Sequence, residues 1–89
     1  MRVEICGKRW NLKLVHKSKR RGHHGKCNDP TDVGKEIQVE YNDEEQRVLD
    51  TILHECLHAG VWSLDEKVVA QWATDVAKIL IKLGWHRDP

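Results

Sequence analysis

The stretch His54-Glu55-Cys56-Leu57-His58, inside the run from Asp43 to Trp62, decides how the rest of this chain is read. If the run is helical, its two histidines lie one turn apart on one face, where two imidazoles can grip one metal ion. Glu55, beside the first histidine, then reaches a water on that metal. Zinc suits such a set because it takes neutral imidazole and carboxylate ligands tetrahedrally, and an open fourth position makes bound water acidic.

Independent signals make this run a helix. Asn42 is placed to cap it, Glu45 completes a capping box, and Asp43, Glu44 and Glu45 suit the positive end of the helix dipole. Val48, Leu49, Ile52, Leu53, Cys56, Leu57 and Ala59 follow helical spacing on one broad face. His54 and His58 fall on the other side, in a stripe with Arg47 and Thr51. The helix is therefore expected to bury one face and offer its histidines to a cleft.

Working outward, the residues before this helix read as strands. Arg2 to Cys6 and Trp10 to Leu14 alternate, with Val3 and Ile5, then Trp10, Leu12 and Leu14, each sharing a face; Gly7-Lys8 is the expected turn of a hairpin spanning Met1 to His16. Residues 17–34 are polar, rich in glycine and basic side chains, and read as one long loop. Glu36 to Tyr41 alternates again and forms a third strand, with Ile37, Val39 and Tyr41 on one face. Placed at the sheet edge, it can pair with an extended peptide, which makes Val39 and Tyr41 candidate substrate contacts. After the metal helix, Asp65 to Leu83 reads as a second helix whose buried stripe is Val68, Val69, Trp72, Val76, Ile79, Leu80 and Leu83, with Lys67, Lys78 and Lys82 toward water. Gly84 ends it, and residues 85–89 form a tail. The expected architecture is α+β: a small three-stranded antiparallel or mixed sheet packed on two helices, in one domain over residues 1–89.

Composition narrows the function classes. The chain has 89 residues and a formal net charge of +1, so it builds one small core that a bound metal would help to stabilise. Near-neutral charge excludes an obvious nucleic-acid binder as a whole. The charge is nevertheless uneven, with eight basic and no acidic residues from Lys8 to Lys26. Three cysteines, Cys6, Cys27 and Cys56, form no scaffold-like pattern, and reduced thiols in a cytoplasmic protein are expected. No apolar run approaches the ~20 residues of a membrane span.

A catalytic zinc takes three protein ligands, and the third must come from elsewhere. Glu66 lies eight residues after His58, at the start of the second helix, where a short connection returns its carboxylate to the metal. In competition, Ser63-Leu64-Asp65-Glu66 is a capping-box pattern in which Glu66 only caps the helix. Asp65, His86 and Cys27 are the remaining candidates. His23, His24 and Cys27 have metal-binding chemistry but match no standard finger spacing. Leu64 stands where a third histidine of the longer metzincin-type motif belongs.

With these residues in place the chain resembles the small gluzincins, minimal metallopeptidases with His-Glu-x-x-His and a downstream glutamate, and the short zincin-like proteins of phages and bacteria. The resemblance covers Val3 to Gly84. It implies Zn2+ held by His54, His58 and Glu66, Glu55 as general base, and a peptide or protein substrate hydrolysed by a metal-activated water. The chain departs from the family in the brevity of the link from His58 to Glu66, which leaves little of a lower half to the cleft. The competing expectation is a metal-stabilised or inactive binding module that contacts nucleic acid or a partner protein through residues 17–26, with Lys17, Lys19, Arg20, Arg21 and Lys26 as its basic patch.

Overall fold

The computed structural model describes residues 1–16, 25–41 and 44–86. Four strands and two helices follow in order: β1 (Arg2–Ile5), β2 (Lys8–Val15), β3 (Gly25–Cys27), β4 (Glu36–Glu40), α1 (Glu45–Gly60) and α2 (Glu66–Lys82). The class is α+β, with a mixed sheet in the order β1-β2-β4-β3. The β1–β2 hairpin turns at Cys6-Gly7, one residue earlier than expected, and both residues have positive φ (49° and 77°). This is the backbone a tight two-residue hairpin turn demands, and only its second position carries the residue that adopts it without strain.

The parallel pairing of β2 with β4 runs from Asn11↔Glu36 to Val15↔Glu40. β3 then adds antiparallel on the far side of β4, through Gly25↔Val39, Lys26↔Gln38 and Cys27↔Ile37. The long loop expected over residues 17–34 therefore contains a strand, and this corrects the position of β4. It lies between β2 and β3 rather than at the sheet edge, and β3 is the edge among the described residues.

One face of the sheet is apolar and α1 covers it. Trp10, Ile37, Val39, Val48 and Ala59 form the buried centre, with Val3, Ile5, Leu12, Cys27, Ile52 and Cys56 packed around them. Leu14, expected on the same face, is half exposed. The opposite face carries Glu36, paired with Lys13 at 3.1 Å, and Gln38. Burial of the sheet-facing side chains, each stabilising by roughly 1.5–3 kcal/mol, holds α1 to the strands.

Asn42 and Asp43, expected at the start of α1, lie outside the described residues. Glu44 is the N-cap, without a side-chain capping bond, and its carboxylate pairs with Arg47 at 3.2 Å. The expected box with Glu45 as its third residue is thus not the arrangement found. At the other end, Gly84 at φ +92° lets Trp85 N–H donate to Leu80 O and Gly84 N–H to Ile81 O, closing α2 as expected.

α2 touches α1 and none of the strands. Its contact side is Val69, Ala73 and Ala77, all fully buried, because small residues let the helices approach closely. Thr74 Oγ1 donates to Asp50 at 2.8 Å, while Glu66 meets His54 and His58. Positions advancing along α2 thus meet positions receding along α1, so the helices are antiparallel. Here the expected stripe needs correction: Val68, Trp72, Ile79 and Leu83 are exposed. No helix among the described residues is long and apolar enough to cross a membrane.

Candidate metal centre

Three elements meet at the C-terminal half of α1. Leu64 N–H donates to Val61 O, turning the chain tightly after the helix, and Asp65 begins α2 by accepting from Lys67 N–H at 2.7 Å. Asp65, not Ser63, is therefore the cap, and it is occupied as one. Glu66, in the first helical position, is released from the capping role that competed for it. Its side chain returns to α1, where Oε1 lies 2.8 Å from His54 Nε2 and Oε2 2.6 Å from His58 Nε2. The two imidazole nitrogens are themselves 3.2 Å apart.

Among the described residues, His54, His58 and Glu66 are the group of donors close enough to hold a metal ion, with ligand atoms within 4.8 Å of one another. Protons alone cannot satisfy their three contacts. Each carboxylate contact takes up the single in-plane site of a histidine's Nε2, whether the shared proton sits on the nitrogen or on the carboxyl oxygen. The 3.2 Å contact between the nitrogens is then left without a hydrogen bond of its own. A cation among the three satisfies all of them at once. The edge of a zinc tetrahedron with bonds of about 2.0–2.1 Å is roughly 3.3 Å. The histidine pair already has that spacing, and the carboxylate contacts are shorter, as proton-mediated ones are. The donor set suits a metal ion such as zinc in kind, and the histidine pair does so in spacing.

Glu55 lies beside this group, with Oε1 3.9 Å from His54 Nε2 and a side chain only 8% exposed. Burial, and then the negative charge of Glu66, push its carboxyl up to about 7. A carboxyl with this setting exchanges protons near neutrality, as general acid–base work requires.

The burial of Glu55 comes from β3. Thr51, expected on the open side of α1, and Glu55 are both buried. Gly25 makes this possible: a Cβ there would stand 2.6 Å from Thr51 Cγ2 and 3.0 Å from Glu55 Cγ. The glycine lets the edge strand rest directly on the helix. Thr51 settles its own hydroxyl locally, donating to Arg47 O at 2.9 Å.

Cys27, Glu55, His58, Trp62, Leu64 and Glu66 line a groove of about 410 Å3. Cys27 faces it as a protonated thiol, held at about 12 chiefly by burial and then by Glu55, and donates to Asn28 O. It is not among the clustered donors. The Trp62 ring meets His58 edge-on at 6.1 Å. Sequence reasoning missed Trp62, Leu64 and Gly25 as site residues. The first two immediately follow the metal helix, and the third is a glycine set in a polar segment, a weak signal before β3 was known.

Other expected residues lie elsewhere. Val39 is fully buried in the core and has no surface for a substrate. Tyr41 follows β4 at the end opposite Ile37 and Cys27; its N–H donates to Val15 O and its ring meets His16. His86 is exposed beyond α2. His23 and His24, and Lys17, Lys19, Arg20 and Arg21 of the basic patch, lie outside the described residues, while Lys26 is exposed on β3.

Among the described residues β3 has no strand on its outer side, and its register defines that edge. Asn28 N–H donates to Glu36 O, and hydrogen-bonded pairs alternate in an antiparallel ladder. Gly25 and Cys27 therefore turn their backbone N–H and C=O groups away from β4, toward the edge that borders the groove.

No protein-family profile, no curated protein and no solved structure matches this chain.

Proposed function

We propose that this chain is a zinc-dependent metallopeptidase of gluzincin-like type, with His54, His58 and Glu66 as metal ligands and Glu55 as general base. The observation that supports it is the meeting of two imidazoles and a carboxylate in contacts that protons cannot jointly satisfy, with a buried carboxyl alongside. When bound, zinc would supply Lewis acidity, polarising a carbonyl and making water a stronger acid.

The chain's own residues would do the rest. Glu55 would remove a proton from the attacking water and deliver it to the leaving amine. A cation beside it favours the carboxylate form that accepts the first proton. An extended peptide would pair with the outward backbone groups of Gly25 and Cys27, taking the role expected for β4. Trp62 and Leu64 wall the groove and limit water around Glu55. The three free cysteines fit an intracellular setting.

Metal analysis and peptide hydrolysis test this together. About one zinc per chain is expected, lost to chelator and in His54→Ala. Glu55→Gln should keep the zinc and lose roughly 100-fold or more of the hydrolysis. A chain that takes up no zinc, or a zinc-loaded Glu55→Gln that hydrolyses like the parent, would end this reading.

A further inference from the structure

The residues that line the groove beside His58 fall into two chemical sets. Glu55, His58 and Glu66 belong to the donor cluster and the carboxyl next to it. Cys27, Trp62 and Leu64 remain for whatever occupies the groove, and none of them carries a charge; the Cys27 thiol is spent on Asn28 O. Trp62 and Leu64 are 46% and 36% exposed, large apolar side chains kept at the surface directly after α1. The Trp62 ring meets His58 edge-on, with centroids 6.1 Å apart, so a side chain resting on Trp62 lies beside the donor cluster.

The register of β3 identifies the residue of an extended peptide that would supply such a side chain. Gly25 and Cys27 turn their backbone groups outward, and among the described residues no strand lies on that side. Opposed residues on neighbouring strands put their side chains on the same face, about 5 Å apart between β-carbons. At Cys27 that face is the α1 side, where the thiol packs on the core and lines the groove. The peptide residue opposite Cys27 therefore projects into the groove, toward Trp62 and Leu64. Its two neighbours point to the other face of the sheet, the face of exposed Lys26.

Size and charge define what fits. At about 410 Å3 the groove is near the small end of the roughly 300–1,000 Å3 of ligand pockets, enough for one bulky side chain. A charged side chain placed against Trp62 and Leu64 would lose water without gaining a partner. A carboxylate would also meet the charge of Glu66.

We propose that this groove is a specificity pocket for one large apolar side chain of an extended peptide, of the leucine, methionine or phenylalanine kind, carried by the residue paired with Cys27 and seated on Trp62 and Leu64. Cleavage of the peptide beside that residue rests on the peptidase reading; the pocket itself does not.

Blocked peptides that differ only at one position, carrying Phe, Leu, Ala or Asp, test both parts. With zinc-loaded protein, kcat/KM should fall at least about tenfold from Phe or Leu to Ala, and further to Asp. Trp62→Ala should bring the Phe peptide down to the rate of the Ala peptide with zinc content unchanged, and Trp62→Phe should keep the preference. A readout apart from hydrolysis is the NMR spectrum of the 15N-labelled, metal-free full chain. The Phe peptide at about 1 mM should shift the Trp62 indole N–H, assigned through Trp62→Phe, and the Cys27 backbone N–H, and the Ala peptide should shift neither. Such shifts without hydrolysis by the zinc-loaded chain would end the peptidase reading and uphold the pocket. Hydrolysis indifferent to the varied side chain, a Phe preference unchanged in Trp62→Ala, or a Phe peptide that moves neither resonance would overturn the pocket.

Discussion

Replacing Gly25 by alanine tests the packing that creates the site, because two effects of opposite sign compete there. Gly25 has no positive φ, so with open space around it alanine would stabilise the fold by about 0.4–1 kcal/mol, by restricting the unfolded chain. Space is absent. The new Cβ would stand 2.6 Å from Thr51 Cγ2, 2.9 Å from Gln38 O and 3.0 Å from Glu55 Cγ. None of these atoms is the free end of a flexible side chain: one belongs to a stiff β-branched residue on a helix, one to a central strand's backbone, one to a buried stem. Overpacking of this kind costs typically about 1–3 kcal/mol, so Gly25→Ala should be destabilising by about 1–2 kcal/mol in urea denaturation of the metal-free protein. Thr51→Ser removes the nearest atom, and the double variant should recover part of the loss. β3 must also lift from α1, so the Cys27 thiol should react faster with a thiol reagent, with exposed Cys6 as the internal control. Unchanged or raised stability in Gly25→Ala would mean that β3 does not lie against α1, and the burial of Glu55 would lose its explanation.

Glu66→Ala should abolish zinc uptake, whereas Asp65→Ala should keep it and cost about 1 kcal/mol of stability through the lost cap; dialysis against zinc followed by metal analysis separates the two. Val39→Ala removes two methyl groups from the core and should cost about 2 kcal/mol, seen in denaturant titration, with zinc content unaltered. The metal-free protein should also lose stability as pH rises from about 4.5 to about 7, because unfolded chains release the Glu55 proton first and the fold holds it until about 7. Below that window both states are protonated and the effect is absent. Glu55→Gln should remove this slope, as melting temperatures across pH will show.

Much of this architecture is legible in the residues because its signals are local. The 3.6-residue period marks α1 and α2, alternation marks β1, β2 and β4, and Gly84 marks a helix end that the backbone confirms. The cluster of His54, His58 and Glu66 was legible for a related reason. Four residues on one helix bring His54 and His58 together, and a five-residue link limits where the next helix can begin. The question left open, whether Glu66 caps α2 or turns back, depended on one hydrogen bond: Asp65 accepts from Lys67 N–H, and Glu66 is left to meet the histidines.

What the residues concealed was set by tertiary contact. β3 is Gly-Lys-Cys, too short for alternation to register and low in strand propensity. It is a strand because β4 offers it a backbone and α1 offers it a seat. That addition moved β4 from edge to centre, covered Thr51 and Glu55, and, among the described residues, transferred the outer edge beside the His54, His58 and Glu66 cluster from Val39 and Tyr41 to Gly25 and Cys27. α2 shows the same limit. Periodicity defines an apolar arc broader than one neighbour can cover, but not which part the neighbour takes. α1 takes the part where Ala73 and Ala77 permit close approach. The larger residues, which hydrophobicity alone would bury first, are left facing outward. An exposed stripe of that origin is a surface with apolar free energy still to be released.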